Sequence, residues 1–128
     1  MSWKIYDYRS QRGQNLVKDW CVELQKNERT KFTQKIDMLA EVGDSLCPGL
    51  AGPIGSSHLY KIKVNGDVAG RLFLCKGPLN METEYTLLLG AFKKDGRLPF
   101  GTIEAAEQRR QDIIRDKDRR CIHERFKI

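Results

Sequence analysis

From Trp3 to Tyr8 the chain reads Trp-Lys-Ile-Tyr-Asp-Tyr, aromatic and β-branched residues in rough alternation with polar ones, and a polar, turn-like Arg-Ser-Gln-Arg-Gly follows. That pattern predicts an N-terminal strand over 3–8. From Asn15 the period lengthens. Leu16, Val17, Trp20, Cys21 and Leu24 fall on one face at helical spacing, which predicts a first helix ending near Lys26. Asn27 offers an N-cap for a second, whose stripe is Phe32, Ile36, Leu39 and Ala40 and whose stop is Gly43. The Gly- and Pro-rich stretch 47–57 reads as loop.

Beyond it the period falls to two. Over His58–Val64, Tyr60, Ile62 and Val64 alternate with Leu59, Lys61 and Lys63, and Asn65-Gly66-Asp67 supplies a hairpin turn. A strand over Ala69–Cys75 returns antiparallel. After the turn Lys76–Asn80, a third strand over Thr83–Phe92 carries leucines on both faces, as a central strand does. Pro99 to Gly101 interrupts the chain, and a helix starting at Thr102 runs through Ile113 and Ile114 into a charged tail. The order β-αα-βββ-α predicts an α+β fold, a small, mostly antiparallel sheet with a helical hairpin and a C-terminal helix packed on it.

The length, 128 residues, suits one domain spanning 1–128, with the tail after about 117 read as a solvated helix end. Trp20, Phe32 and Tyr60 read as core. Cys21, Cys47, Cys75 and Cys121 form no Cys-x-x-Cys pair and have no histidine at ligand spacing, so free thiols are expected, with no metal site and no cofactor. No apolar run approaches the roughly 18 residues of a membrane span, and the N-terminus lacks a signal-like pattern, which predicts a cytoplasmic location with no membrane partner.

Charge changes this picture most. The net charge of +6 favours a polyanionic partner, and residues 58–97 hold the largest excess, seven bases against four acids. Lys61 and Lys63 alternate onto one side of their strand, Arg71 lies early in the next, and Lys93, Lys94 and Arg97 lie at the exit of the third. Brought together, these six form an anion site. Arginine grips phosphate with a planar fork, and a crowded or desolvated lysine has a lowered pKa suited to proton transfer. RNA brings its own nucleophile in the 2′-hydroxyl, so neither a protein nucleophile nor a metal is required. His58, at the mouth of its strand, is placed with this site, and His123 is read as a surface or capping residue.

The stretches "HLYKIKVNGDVAGRLFLC", "TLLLGAFKKDGRLP" and "IEAAEQRRQD" are similar to a family pattern. The chain resembles the RelE/ParE superfamily of type II toxin–antitoxin toxins, particularly its phage-derived, HigB-like branch, over roughly residues 3–116. The resemblance implies a RelE-like fold and an endoribonuclease, an mRNA interferase that cleaves messages on the ribosome and is restrained by a cognate antitoxin of helix-turn-helix type. It implies Arg71, Lys93 and Lys94 as catalytic residues, with Lys63 and Arg97 binding RNA; Lys61 and His58 are read as RNA-binding from their places on the strand. Lys61 stands where the family usually has Glu, Leu74 where an aromatic residue is expected, and Leu89 where some members place His. Two alternatives share this outline: a ParE-like gyrase inhibitor, and a catalytically silent RNA- or protein-binding module.

Overall fold

The computed structural model describes residues 2–43, 51–54 and 57–125. It is an α+β fold with an open six-stranded sheet, mostly antiparallel, and three α-helices. In chain order the elements are β1 (Lys4–Tyr8), α1 (Leu16–Val22), α2 (Lys26–Val42), β2 (Gly52–Pro53), β3 (Leu59–Asn65), β4 (Ala69–Lys76), β5 (Glu84–Lys93), α3 (Thr102–Arg115), a 3-10 turn (Lys117–Arg119) and β6 (Arg120–Ile122). The sheet order is β2-β3-β4-β5-β1-β6, with one parallel pair, β1 against β5.

Several expectations shift. The first helix stops at Val22 rather than Lys26 because Gln25 takes an extended backbone, and α2 starts at Lys26 with Asn27 inside its first turn. Asn15 caps α1, its Oδ1 accepting the Lys18 N–H at 2.9 Å, and Gly43 ends α2 at a φ of 57° that favours glycine. Within the stretch expected to be all loop, Gly52 and Pro53 form a short edge strand on Lys61 and Tyr60. Pro53 is tolerated there because an edge strand needs no donor on its outer side. The rest of that stretch, 47–50 with Cys47 and 55–56, lies outside the described residues.

The charged tail is not a solvated helix end. β6 pairs antiparallel with β1, and its basic residues are structural. Arg120 lies 3.7 Å over the Tyr6 ring and pairs with Glu84, while Arg119 lies over Tyr8 and 3.5 Å from Asp112. His123, expected at the surface, is nearly buried, its Nδ1 2.8 Å from the buried carboxylate of Asp7. Asn15 donates to the other Asp7 oxygen at 2.9 Å.

α1 and α2 cover one sheet face. Phe32 is fully buried beneath α2, and Trp20, half-buried, packs edge-on against it and tilted against Phe92. Glycine at 70 and 90 lets these rings meet the sheet: a Cβ at Gly70 would lie 3.1 Å from Phe32, and one at Gly90 would overlap the Trp20 indole. α3 lies on the opposite face, through buried Ala106 and Ile113 and through Arg109, which donates to the Leu88 carbonyl at 2.9 Å. Cys21 and Cys75 are buried free thiols, and burial pushes the Cys75 thiol up to about 12. Among the described residues no helix is long and apolar enough to cross a membrane.

Candidate functional site

On the face that carries α3, strand register fixes which side chains stand together, with Lys63 exposed, Lys61 and Lys93 half-buried and Arg71 buried. In the β3–β4 ladder Lys63 stands opposite Arg71 and Lys61 opposite Phe73; in the β4–β5 ladder Arg71 stands opposite Ala91 and Ala69 opposite Lys93. Directly paired residues project to the same face, as do residues two apart on a strand. Lys61, Lys63, Arg71 and Lys93 therefore share one face across three adjacent strands. Phe73, fully buried between Lys61 and Leu89, forms the floor.

Arg71 is the centre of the group. It is 6% exposed, yet among the described residues it has no ion pair. Its Nη1 donates to the Asn65 side-chain oxygen at 3.0 Å and to the Gly70 carbonyl at 2.9 Å, while its buried Nε has no partner. A buried guanidinium without a carboxylate is costly unless an anion completes it. Asn65, at the end of β3, orients the fork. The sequence reading missed that role because the Asn65-Gly66-Asp67 run already served as a turn.

Lys61 feels its neighbours. Partial burial and then the charges of Lys63, Lys93 and Arg71 hold its ammonium below the ordinary lysine range. Opposing acids are few. Glu28 is buried and turned toward the β3–β4 hairpin, where its carboxylate accepts the Asp67 N–H at 3.2 Å, and Asp67 itself lies exposed in the turn.

The remaining expected residues separate from this row. Lys94 and Arg97 bond to each other through both backbone groups, at 2.8 and 2.9 Å, across a two-residue hairpin with Asp95 and Gly96 at φ of 51° and 74°. Such positive φ pairs suit Asp-Gly turns. Both residues are exposed, and with strand alternation carried one residue on, Lys94 projects away from Lys93. His58 does not join the cluster. It precedes β3, about 10 Å along the strand from Lys61, the nearest of the row, at strand rise, and lines a hollow of about 400 Å³ with Ile103, Glu104 and Glu107 of α3.

Leu74 is fully buried and pairs with Tyr60 and Leu87 on the face that α1 and α2 cover, opposite to Phe73 by strand alternation; the register irregularity beside it leaves Leu88 of β5 without a partner on β4. Leu89 is on the face that carries α3, half-buried. One exposed aromatic ring near the exit of β5 escaped the sequence reading. Phe100 is wholly exposed and lines a hollow of about 390 Å³ with Leu89, Ala91 and Phe92 at the rim of β5. A phenylalanine in a Pro-Phe-Gly break gave no sign that it would be left uncovered.

No group of three or more His, Cys, Asp or Glu side chains that would hold a metal ion occurs among the described residues. Compared with protein-family models, with curated proteins and with solved structures, the chain matches none.

Proposed function

We propose that the chain is an endoribonuclease toxin of RelE-like fold, acting on messenger RNA at the ribosome and restrained by a cognate antitoxin of helix-turn-helix type. One observation carries the reading: the buried Arg71 guanidinium has no carboxylate and an unpartnered Nε, and it sits among Lys61, Lys63 and Lys93 on one sheet face. A group so arranged favours a bound phosphate.

The chemistry follows from the charges. Lys61, whose pKa is lowered, takes the proton of the RNA 2′-hydroxyl; the 2′-oxygen bonds to the adjacent phosphorus. Arg71 stabilises the negative charge that gathers on the phosphorane oxygens. The bond to the 5′-oxygen breaks, and the Lys93 ammonium supplies the proton to that leaving group. The products are a 2′,3′-cyclic phosphate and a 5′-hydroxyl. Lys63 holds a neighbouring phosphate, Lys94 and Arg97 extend the positive rim at the hairpin, and Phe100 offers a face on which a base stacks. His58, remote from the row, has no part in this scheme.

A second reading, an RNA-binding module that does not cut, draws on the lack of any histidine or tyrosine in the row of cations. Expression of the chain and of its Arg71→Ala variant in a tightly controlled host, with message 5′ ends mapped, separates the possibilities. New 5′ ends and arrested growth that vanish with Arg71→Ala support cleavage. Intact messages with gyrase-linked DNA breaks point to a gyrase inhibitor, and intact messages with unimpaired growth sink the toxin reading.

A further inference from the structure

The positive surface does not stop at the sheet edge. Among the described residues, β2 pairs with β3 through Tyr60 and Lys61 alone, and none pairs with Ile62–Asn65 on that side. There Lys35 of α2 donates its Nζ to the Lys63 carbonyl at 2.9 Å. Lys31 lies one turn earlier on the same flank of α2. Lys35 is shifted below the ordinary lysine range by partial burial and then by the nearby charges of Lys63 and Lys31. None of the three has an ion pair among the described residues. Glu28, on the preceding turn of α2, faces inward.

The geometry points to a path for single-stranded RNA that leaves the sheet face over the β3 edge and continues along α2, with Lys35 and Lys31 taking further phosphates. This rests on the reading of the partner as RNA. Two features favour a nucleic-acid strand over an acidic peptide. The cations run across the strands, from Lys93 on β5 through Arg71 on β4 and Lys63 on β3 to α2, whereas a peptide added to a sheet runs along its edge. The edge carbonyl such a peptide would need, that of Lys63, is already occupied by Lys35, a basic side chain of the kind that discourages strand addition.

The test uses the full chain and a 2′-O-methyl RNA oligonucleotide, which binds without being cut, with affinity measured against salt. Each phosphate neutralised on a single strand contributes a slope of about −0.7 in log affinity against log salt. Lys31→Gln with Lys35→Gln is expected to flatten the slope by about 1.4, so that the advantage of the unaltered chain shrinks about sevenfold between 50 and 200 mM salt. Lys35→Arg, which keeps the charge, restores most of the slope, and thermal unfolding monitors the fold throughout. A slope unchanged in the double variant, while Arg71→Ala still weakens binding, overturns the α2 path and leaves the strand-face site standing. No binding by the unaltered chain overturns both, as does an acidic peptide that binds this face where RNA does not.

Discussion

Arg71 and Asn65 are joined by a hydrogen bond of 3.0 Å from the guanidinium Nη1 to the amide oxygen, with no carboxylate on the arginine among the described residues. Asn65→Asp would supply the missing countercharge inside the fold. The expected result is a higher midpoint of thermal unfolding together with RNA affinity reduced about tenfold or more, since a hydrogen bond to a charged group contributes about 1.5–3 kcal/mol. Asn65→Ala is expected to weaken RNA binding without the gain in stability. Parallel unfolding and binding titrations distinguish the two.

On the proposed mechanism, Lys61 gives cleavage a pH dependence of known sign. Its folded pKa lies below the reference 10.5, so folding disfavours its charged form. The penalty is full at pH below the folded pKa and is relieved as pH rises from there toward 10.5, where the unfolded chain still holds the proton and the folded chain does not. Stability attributable to Lys61 therefore increases over that window, and unfolding of Lys61→Met compared with the unaltered chain reads it out. Cleavage is expected to rise with pH through an apparent pKa below that of free lysine. A rate–pH profile of Lys61→Arg should lack that limb.

Phe100 is fully exposed, so Phe100→Ala is expected to leave thermal unfolding unchanged. Loss of one base–aromatic stack, about 1–3 kcal/mol, predicts RNA binding weaker by roughly 5- to 150-fold. Fluorescence titration of an uncut oligonucleotide against both proteins checks this.

At Gly90 the absent side chain is what admits Trp20. Gly90→Ala forces the indole or β5 to move and is expected to cost about 1–3 kcal/mol, as overpacking of a tight interior does. Urea unfolding measures it. Gly52→Ala, at a strand glycine whose Cβ meets open space and whose φ is ordinary, serves as the control.

His123→Ala removes a nearly buried partner from the Asp7 carboxylate. The loss is expected to be about 1–3 kcal/mol, the cost of leaving a buried polar group unsatisfied. Amide exchange should quicken first at Arg120–Ile122, because the His123–Asp7 side-chain contact pins the end of that strand to β1.

The long periodic segments were legible from the residues alone. β3, β4 and β5 carry alternation or sustained apolar runs over seven to ten residues, and their register brings Lys61, Lys63, Arg71 and Lys93 onto one face. Short edge strands were not legible. Gly52–Pro53 and Arg120–Ile122 are too short to show a period, and the arginines of β6 lie over tyrosine rings that only the fold brings near. The site split in the same way. Neighbours in sequence at a strand exit, Lys93 and Lys94, look equivalent, but the pleat separates them and the Asp95-Gly96 turn gives Lys94 to Arg97. His58 and Leu74 likewise required the three-dimensional register, the first standing at the far end of β3 and the second on the helix-covered side. Asn65, Lys35 and Phe100 gained their places from tertiary neighbours that no local pattern encodes.

On the proposed mechanism, Arg71 and the lysines around it promote attack of an RNA 2′-hydroxyl on the adjacent phosphate. The most direct measurement is the chemistry of the product ends after the purified chain acts on messenger RNA in translating ribosomes. It predicts 2′,3′-cyclic phosphate and 5′-hydroxyl ends, absent with Arg71→Ala and absent where the nucleotide on the 5′ side of the cut carries 2′-deoxyribose. Cleavage that persists at a 2′-deoxy position, or messages left whole by the unaltered chain, would contradict it.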